Sequence, residues 1–113
     1  ALDKISRQDT VAAFKASDLF IFSSKFECSP LVIFEAMAAK KPFVSTDCGN
    51  VSEFKKYGSM VKTTEEMAKK INYWLNNDAL RKKTGLLAFE NFQKNYTWEH
   101  IADQYENLYK SLL

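Results

Sequence analysis

Two glutamates, Glu27 and Glu35, are the residues of this chain whose type and setting point to chemistry. From Leu31 to Ala39 every residue except Glu35 is apolar. A helix that is apolar all round is a buried helix and has no polar face on which to solvate a charge. A lone buried carboxylate is costly unless hydrogen-bond donors pair with it. Glu35 is therefore expected to sit where a partner or a ligand compensates it. Glu27 falls just before the same helix, in Phe26-Glu27-Cys28-Ser29-Pro30, so both carboxylates are expected to face one crevice.

The elements that must position them can be read on either side. Leu19-Phe20-Ile21-Phe22 is a short apolar run of the kind that forms a strand buried on both faces. Ser29 and Pro30 mark the helix start, serine as N-cap and proline as first helical residue. The amides of Leu31, Val32 and Ile33 are then expected to point freely out of the helix N-terminus. Strand, short loop and helix N-terminus, in that order, form the unit with which open α/β sheets hold phosphate esters. Bare amides suit a phosphate and carboxylates suit hydroxyls, and the two together describe a sugar nucleotide.

At these residues the sequence closely resembles the donor-binding domain of the retaining GT-B glycosyltransferases, in particular the family 4, group 1 type that carries two glutamates separated by seven residues. The resemblance extends through Ser17-Asp18-Leu19-Phe20-Ile21-Phe22-Ser23-Ser24 as the strand entering the motif and Lys41-Pro42-Phe43-Val44-Ser45-Thr46-Asp47 as the strand leaving it. Gly49, Glu53 and the late aromatic segment Tyr96-Thr97-Trp98-Glu99 also fit, so nearly the whole chain is covered. Cys28 and Pro30 stand where that family often has glycine, and Pro30 has no N–H to offer a phosphate.

The resemblance implies a C-terminal half of a GT-B fold: a partial doubly wound, Rossmann-like parallel α/β sheet with C-terminal helices. It implies Glu27 as the catalytic-site acid, bonding a hydroxyl of the transferred sugar near the reacting carbon. Glu35, Cys28, Ser29, Pro30, Leu31 and Val32 become the donor-binding residues, with Glu35 on the ribose and the amides on the diphosphate. The partner implied is a nucleotide-sugar donor, used without a cofactor. An N-terminal acceptor domain is expected to lie outside this chain, which would make the fragment alone inactive. Two other readings stay open, a sugar-nucleotide epimerase of GT-B-like fold and a non-catalytic donor-binding subunit.

Composition sets the bounds. With 113 residues, 46% of them hydrophobic and 14% aromatic, residues 1–113 can form one domain with a core. No apolar run approaches the ~20 residues of a membrane span, and no charged segment followed by an apolar one opens the sequence. A cytoplasmic location is the expectation, which leaves room for peripheral membrane association of the full-length enzyme. The net charge of +2, with lysines scattered among acids, gives no reason to expect nucleic acid. Cys28 and Cys48 make neither a metal site nor a disulfide framework, although both are expected in loops at one edge of the sheet. No Asp-x-Asp pair or histidine cluster suggests a metal, and His100, the single histidine, is expected at the solvated start of the last helix.

Along the chain, Ala1 to Ile5 show no clear element, and Gln8 to Ala16 read as a helix. Asp18 is expected to bond local amides. Lys40-Lys41-Pro42 ends the central helix, and Phe43-Val44-Ser45 forms a second strand. A turn at Thr46–Asn50 leads to a short helix, Val51 to Tyr57, closed by Gly58, and Ser59–Lys62 makes a third strand. Thr63 with Glu66 forms a capping box opening a helix to about Asn76, and Asp78 caps the next, to about Lys94. The last helix begins at Thr97, and its Ile101, Tyr105, Leu108, Tyr109 and Leu112 recur as a core stripe.

Overall fold

The computed structural model describes residues 4–113. Of the segment Ala1 to Ile5, the first three residues thus lie outside the described part. Helix α1 (Arg7–Ala16) is followed by strand β1 (Phe20–Phe22), helix α2 (Leu31–Ala38) and strand β2 (Phe43–Thr46). A 3-10 helix (Val51–Tyr57) leads directly into strand β3 (Gly58–Val61), and helices α3 (Thr64–Leu75), α4 (Asp78–Asn95) and α5 (Trp98–Ser111) complete the order.

The three strands pair in parallel in the order β1-β2-β3, with Phe20 opposite Phe43 and Phe43 opposite Gly58. Parallel strands need helical crossovers, which cover the two faces of the sheet. One face carries Phe20, Phe22, Phe43 and Met60, and these pack with Ile33 and Met37 of α2 and Ala88 of α4. On the other face Val44 and Val61 meet Trp74, Met67 and Ile71 of α3. The sheet is thus a sandwiched α/β layer, as the residue pattern implies. One strand departs from expectation: β1 is an edge, and Ile21 is 46% exposed rather than covered. It shares a face with Val44, but α3 sits over Val44 and Val61 and does not reach it.

Two glycines owe their places to close approach. A Cβ on Gly85, within α4, would stand 2.0 Å from the Lys40 carbonyl oxygen, so the backbone of α4 lies directly against the backbone that follows α2. Gly58 does not close the preceding helix in a left-handed conformation, as the sequence suggested. It is extended, with φ −169°, and begins β3 where a Cβ would meet the Phe43 carbonyl oxygen at 2.4 Å. The left-handed residue that does end a helix is Lys40, φ 62°, after α2. There the Lys41 amide donates to the Ala36 carbonyl at 2.9 Å and the Lys40 amide to Met37 at 3.0 Å, so the last carbonyls are satisfied before Pro42 stops any continuation.

Other caps differ in detail from the sequence reading. Ser6 and Asp9 form a full capping box on α1, so that helix starts one residue earlier than expected. At α3 the Thr63 hydroxyl accepts from the Glu66 amide, but Glu66 reaches past the cap to the Lys62 amide at 2.7 Å. Asp78 is not the cap of α4 either. Asn77 holds that position, and Asp78 is turned to Arg81 at 2.6 Å and Lys82 at 2.7 Å. Arg81, with its side chain 12% exposed, also donates to the Trp74 and Leu75 carbonyls and to Asp18 at 3.2 Å. Asp18 therefore ties β1's entrance to α4 instead of bonding local amides, an outcome invisible over 63 residues of separation.

Helix α5 is the largest correction. No residue on it is buried, and Tyr105, Leu108, Tyr109 and Leu112 are exposed. The helical spacing is real but only Ile101, near the start, is half-covered, because the remaining turns extend beyond the sheet and its helices. No helix among the described residues is long and apolar enough to cross a membrane.

Candidate functional site

The site is built at the carboxyl ends of β1 and β2. The loop from Ser23 to Pro30 leaves β1 and meets the loop after β2, where the Asn50 amide donates to the Cys28 carbonyl at 3.0 Å. Gly49, at φ 55°, makes this approach possible: a Cβ there would stand 2.3 Å from the Cys28 oxygen. A side chain at this position would force the two loops apart, in a backbone region that L-residues rarely adopt. The expectation that Cys28 and Cys48 lie in adjoining loops is met in the backbone, with Cys28 exposed, Cys48 buried and both free thiols.

Helix α2 starts one residue later than read from the sequence. Pro30, buried and extended, is the N-cap, and no side chain caps the helix, so Ser29 is an exposed loop residue. The Ile33 amide is not free, since it donates to the Pro30 carbonyl at 3.1 Å. Leu31 and Val32 are the residues whose amides head the helix without an acceptor among the described residues. Leu31 is exposed and Val32 half-buried.

Glu35 is neither deeply buried nor alone. Its side chain is 31% exposed, and its Oε1 accepts from Arg7 Nη2 at 2.8 Å. Only Ile33, Ala36 and Met37 of α2 are buried, because sheet and α4 cover one side of that helix while α1 approaches the other. The apolar run is thus not matched by an all-round apolar environment, and the charge is compensated by a cation from the first turn of α1. Glu27 lies in the exposed loop, where the Ser24 hydroxyl donates to its Oε1 at 2.9 Å.

A crevice of about 560 Å³ opens beside Glu35. It is lined by Arg7 from α1, by Leu31, Phe34 and Glu35 from α2, and by Tyr96 and Trp98 at the start of α5. Of the residues singled out from the sequence, Glu35 and Leu31 line it. Glu27, Cys28, Ser29, Pro30 and Val32 belong to the neighbouring loop and helix start and do not form its walls. Its aromatic floor is fixed by packing: the Phe34 and Tyr96 rings lie 5.0 Å apart, and both pack on Phe54 at 5.1 and 5.5 Å. Trp98, by contrast, is 79% exposed at the rim. Arg7 and Phe34 were missed in the sequence. Arg7 carries no local signal, while Phe34 looked like one more core residue of an apolar helix. Among the described residues no group of three or more metal-ligating side chains comes together.

With this geometry in hand, comparison with known proteins identifies the chain. Residues 2–89 match the family model of glycosyl transferases group 1, and the chain belongs to that family. It is similar to N-acetyl-alpha-D-glucosaminyl L-malate synthase of Bacillus anthracis, 31% identical over 96% of this chain and 30% of that protein. It is also similar to a probable sucrose-phosphate synthase of Thermosipho melanesiensis, 34% identical over 86% of this chain and 23% of that one. A third relative is the poly(ribitol-phosphate) alpha-N-acetylglucosaminyltransferase of Staphylococcus aureus, 32% identical over 82% of this chain and 20% of its own length. The solved sucrose-phosphate synthase from Thermosynechococcus elongatus superposes with a TM-score of 0.88 at 25% identity, over 98% of this chain and 29% of that one. The chain spans less than a third of the length of these relatives. The α/β architecture expected for part of a GT-B fold is the one it has.

Proposed function

We propose that this chain is the donor-binding part of a retaining glycosyltransferase, which moves a sugar from a nucleoside diphosphate to a glycan or lipid acceptor in cytoplasmic synthesis of surface polysaccharide. The observation that carries the reading is a carboxylate, Glu35, at the wall of a crevice of about 560 Å³ in a chain of the group 1 family. The crevice lies beside α2, the helix whose N-terminus follows the carboxyl end of β1, the edge at which open α/β sheets bind ligands. The poly(ribitol-phosphate) transferase among the relatives supports a polymer as acceptor.

The roles follow the chemistry of each group. Glu35, held by one Arg7 bond on Oε1, keeps lone pairs for the ribose hydroxyls. The amides of Leu31 and Val32 and the positive end of α2 face the diphosphate and stabilise the charge that grows on it as the sugar leaves. Pro30 contributes no donor. Glu27 bonds a hydroxyl of the transferred sugar near the anomeric carbon. The acceptor wall comes from the part of the enzyme outside this chain, and without it the reacting atoms are not held within about 3.5 Å, a loss of ~7–11 kcal/mol in proximity. Incubation of the full-length enzyme with labelled sugar nucleotides and acceptors tests this. Product of retained anomeric configuration is expected, and an inverted product or an epimerised donor refutes it.

A further inference from the structure

Within that donor-binding reading, on which this step rests, we propose that Ser24 is the positioning residue of Glu27 and that Thr46 positions Ser24, so that the end of β2 sets where the carboxylate meets the transferred sugar. Glu27 stands in an exposed loop, where a glutamate free of contacts samples many rotamers. This one is tethered. The Ser24 hydroxyl, three residues back, donates to its Oε1 at 2.9 Å. The Phe26 carbonyl lies 3.4 Å from the same hydroxyl, but a serine has one proton to give, and the shorter bond to a charged acceptor takes it. Among the described residues nothing donates to Oε2, which is left for a sugar hydroxyl.

What fixes Ser24 comes from the neighbouring strand. Thr46, the last residue of β2, donates its hydroxyl to the Ser24 carbonyl. β2 is the central strand, and its Phe43, Val44 and Ser45 are fully buried, so this donor stands on a packed support. On the far side of Glu27 the Asn50 amide, in the turn after β2, bonds the Cys28 carbonyl. The loop is thus held before and after Glu27 by residues 46–50, and the serine hydroxyl carries that anchorage out to the carboxylate. It closes the base of a bulge whose tip, Lys25 and Phe26, is exposed, so packing at the tip does not fix the carboxylate and the tether does. A Ser-x-x-Glu contact in an unanchored loop would orient the two side chains only toward each other, whereas here it refers Glu27 to the sheet. Groups that meet a reacting substrate must be held to within about 0.5 Å of their productive geometry, and a carboxylate on a long side chain needs support of this kind.

The experiment uses the full-length enzyme and compares, by calorimetry, uridine and guanosine diphosphates with their glucose, N-acetylglucosamine and mannose esters. For the ester that binds best, Ser24→Ala should weaken affinity roughly 2- to 12-fold, the net worth of one hydrogen bond, and leave the free diphosphate unchanged. Ser24→Thr keeps the hydroxyl and should restore the ester, while Thr46→Val, which removes a hydroxyl at nearly constant shape, should weaken it in the same direction as Ser24→Ala. In a Glu27→Ala background Ser24→Ala should cost nothing further, a non-additivity that a merely structural role does not produce. A Ser24→Ala variant that binds the ester undiminished, that loses ester and free diphosphate alike, or that loses the ester equally with and without Glu27 overturns the positioning role and leaves the donor reading standing. Undiminished ester binding by Glu27→Ala removes Glu27 from the sugar and this inference with it, and absence of binding heat from every ester and diphosphate overturns the donor reading as well.

Discussion

Arg7 and Glu35, 28 residues apart in sequence, meet at 2.8 Å and tie the first turn of α1 to the middle of α2. The pair is unequal, with Arg7 69% exposed and Glu35 31%. Removing the carboxylate therefore leaves no buried cation behind.

The first prediction follows from that inequality. Glu35→Gln keeps the shape and loses the charge, so nucleotide binding should weaken by about 1.5–3 kcal/mol, the range for hydrogen bonds to charged groups. Stability should change by less than ~1 kcal/mol, as for an exposed ion pair. Calorimetry with a nucleoside diphosphate and urea denaturation check the two sides. A variant that melts early but binds normally would make Glu35 a structural residue.

A second prediction concerns Gly85. Alanine is the better helix former by about 1 kcal/mol, so Gly85→Ala would stabilise α4 if space allowed. Space does not allow it, because the added Cβ meets a backbone oxygen, that of Lys40, at 2.0 Å. Over-packing costs typically 1–3 kcal/mol, and a carbonyl cannot rotate aside like a side chain, so net destabilisation is expected. Urea titration gives the sign directly.

The third prediction is acidic. The hydrogen bond from Lys82 holds the Asp78 carboxyl below its ordinary value, opposed by desolvation and reinforced by the charges of Lys82 and Arg81. A carboxyl depressed in the folded state contributes stability above its unfolded pKa, about 3.9, and loses it as pH falls through the folded value. Asp78→Asn should therefore narrow the stability difference between pH 5 and pH 3. Denaturation of both proteins at these two pH values decides it, and equal slopes would show that Asp78 does not contribute.

The fourth concerns metal. Amides and the α2 dipole are proposed to supply the leaving-group stabilisation that a divalent ion supplies elsewhere. Transfer by the full-length enzyme should persist in EDTA, and activity lost to chelation and restored by manganese would refute the proposal.

What the sequence disclosed was mostly local. The β2 strand, the Ser23–Pro30 loop and α2 followed from apolar runs bounded by proline and polar residues, and Gly49 from its turn setting. The charge partners did not follow. Arg7 for Glu35 and Arg81 for Asp18 are long-range pairs between surface-looking residues, and no periodicity marks them. Gly58 does not close its helix in the left-handed way expected, because the tight packing of β3 on Phe43 is what calls for glycine there, and Lys40, read as part of the end of α2, takes the left-handed conformation instead. The stripe on α5 was legible as a stripe, but periodicity reports a face and not what covers it. The crevice combines Arg7, Leu31, Glu35 and Trp98 from three helices, and such a meeting is set by tertiary packing alone.

The 3-10 helix Val51–Tyr57 runs into β3 at Gly58 with no intervening residue, and this fixes where the chain can change in length. A single residue inserted between Phe54 and Gly58 has no loop to absorb it. Side chains in a strand alternate between faces, so the slip would turn Val61 away from Trp74 and reverse Met60 as well. The exposed residues Lys25 to Glu27, ahead of the Cys28 carbonyl that Asn50 holds, are free of that constraint. Insertions and deletions in this protein's lineage are thus expected in front of α2, beside Glu27, so that the loop able to vary in length is the one proposed to face the transferred sugar, while the β2–β3 crossover keeps its count.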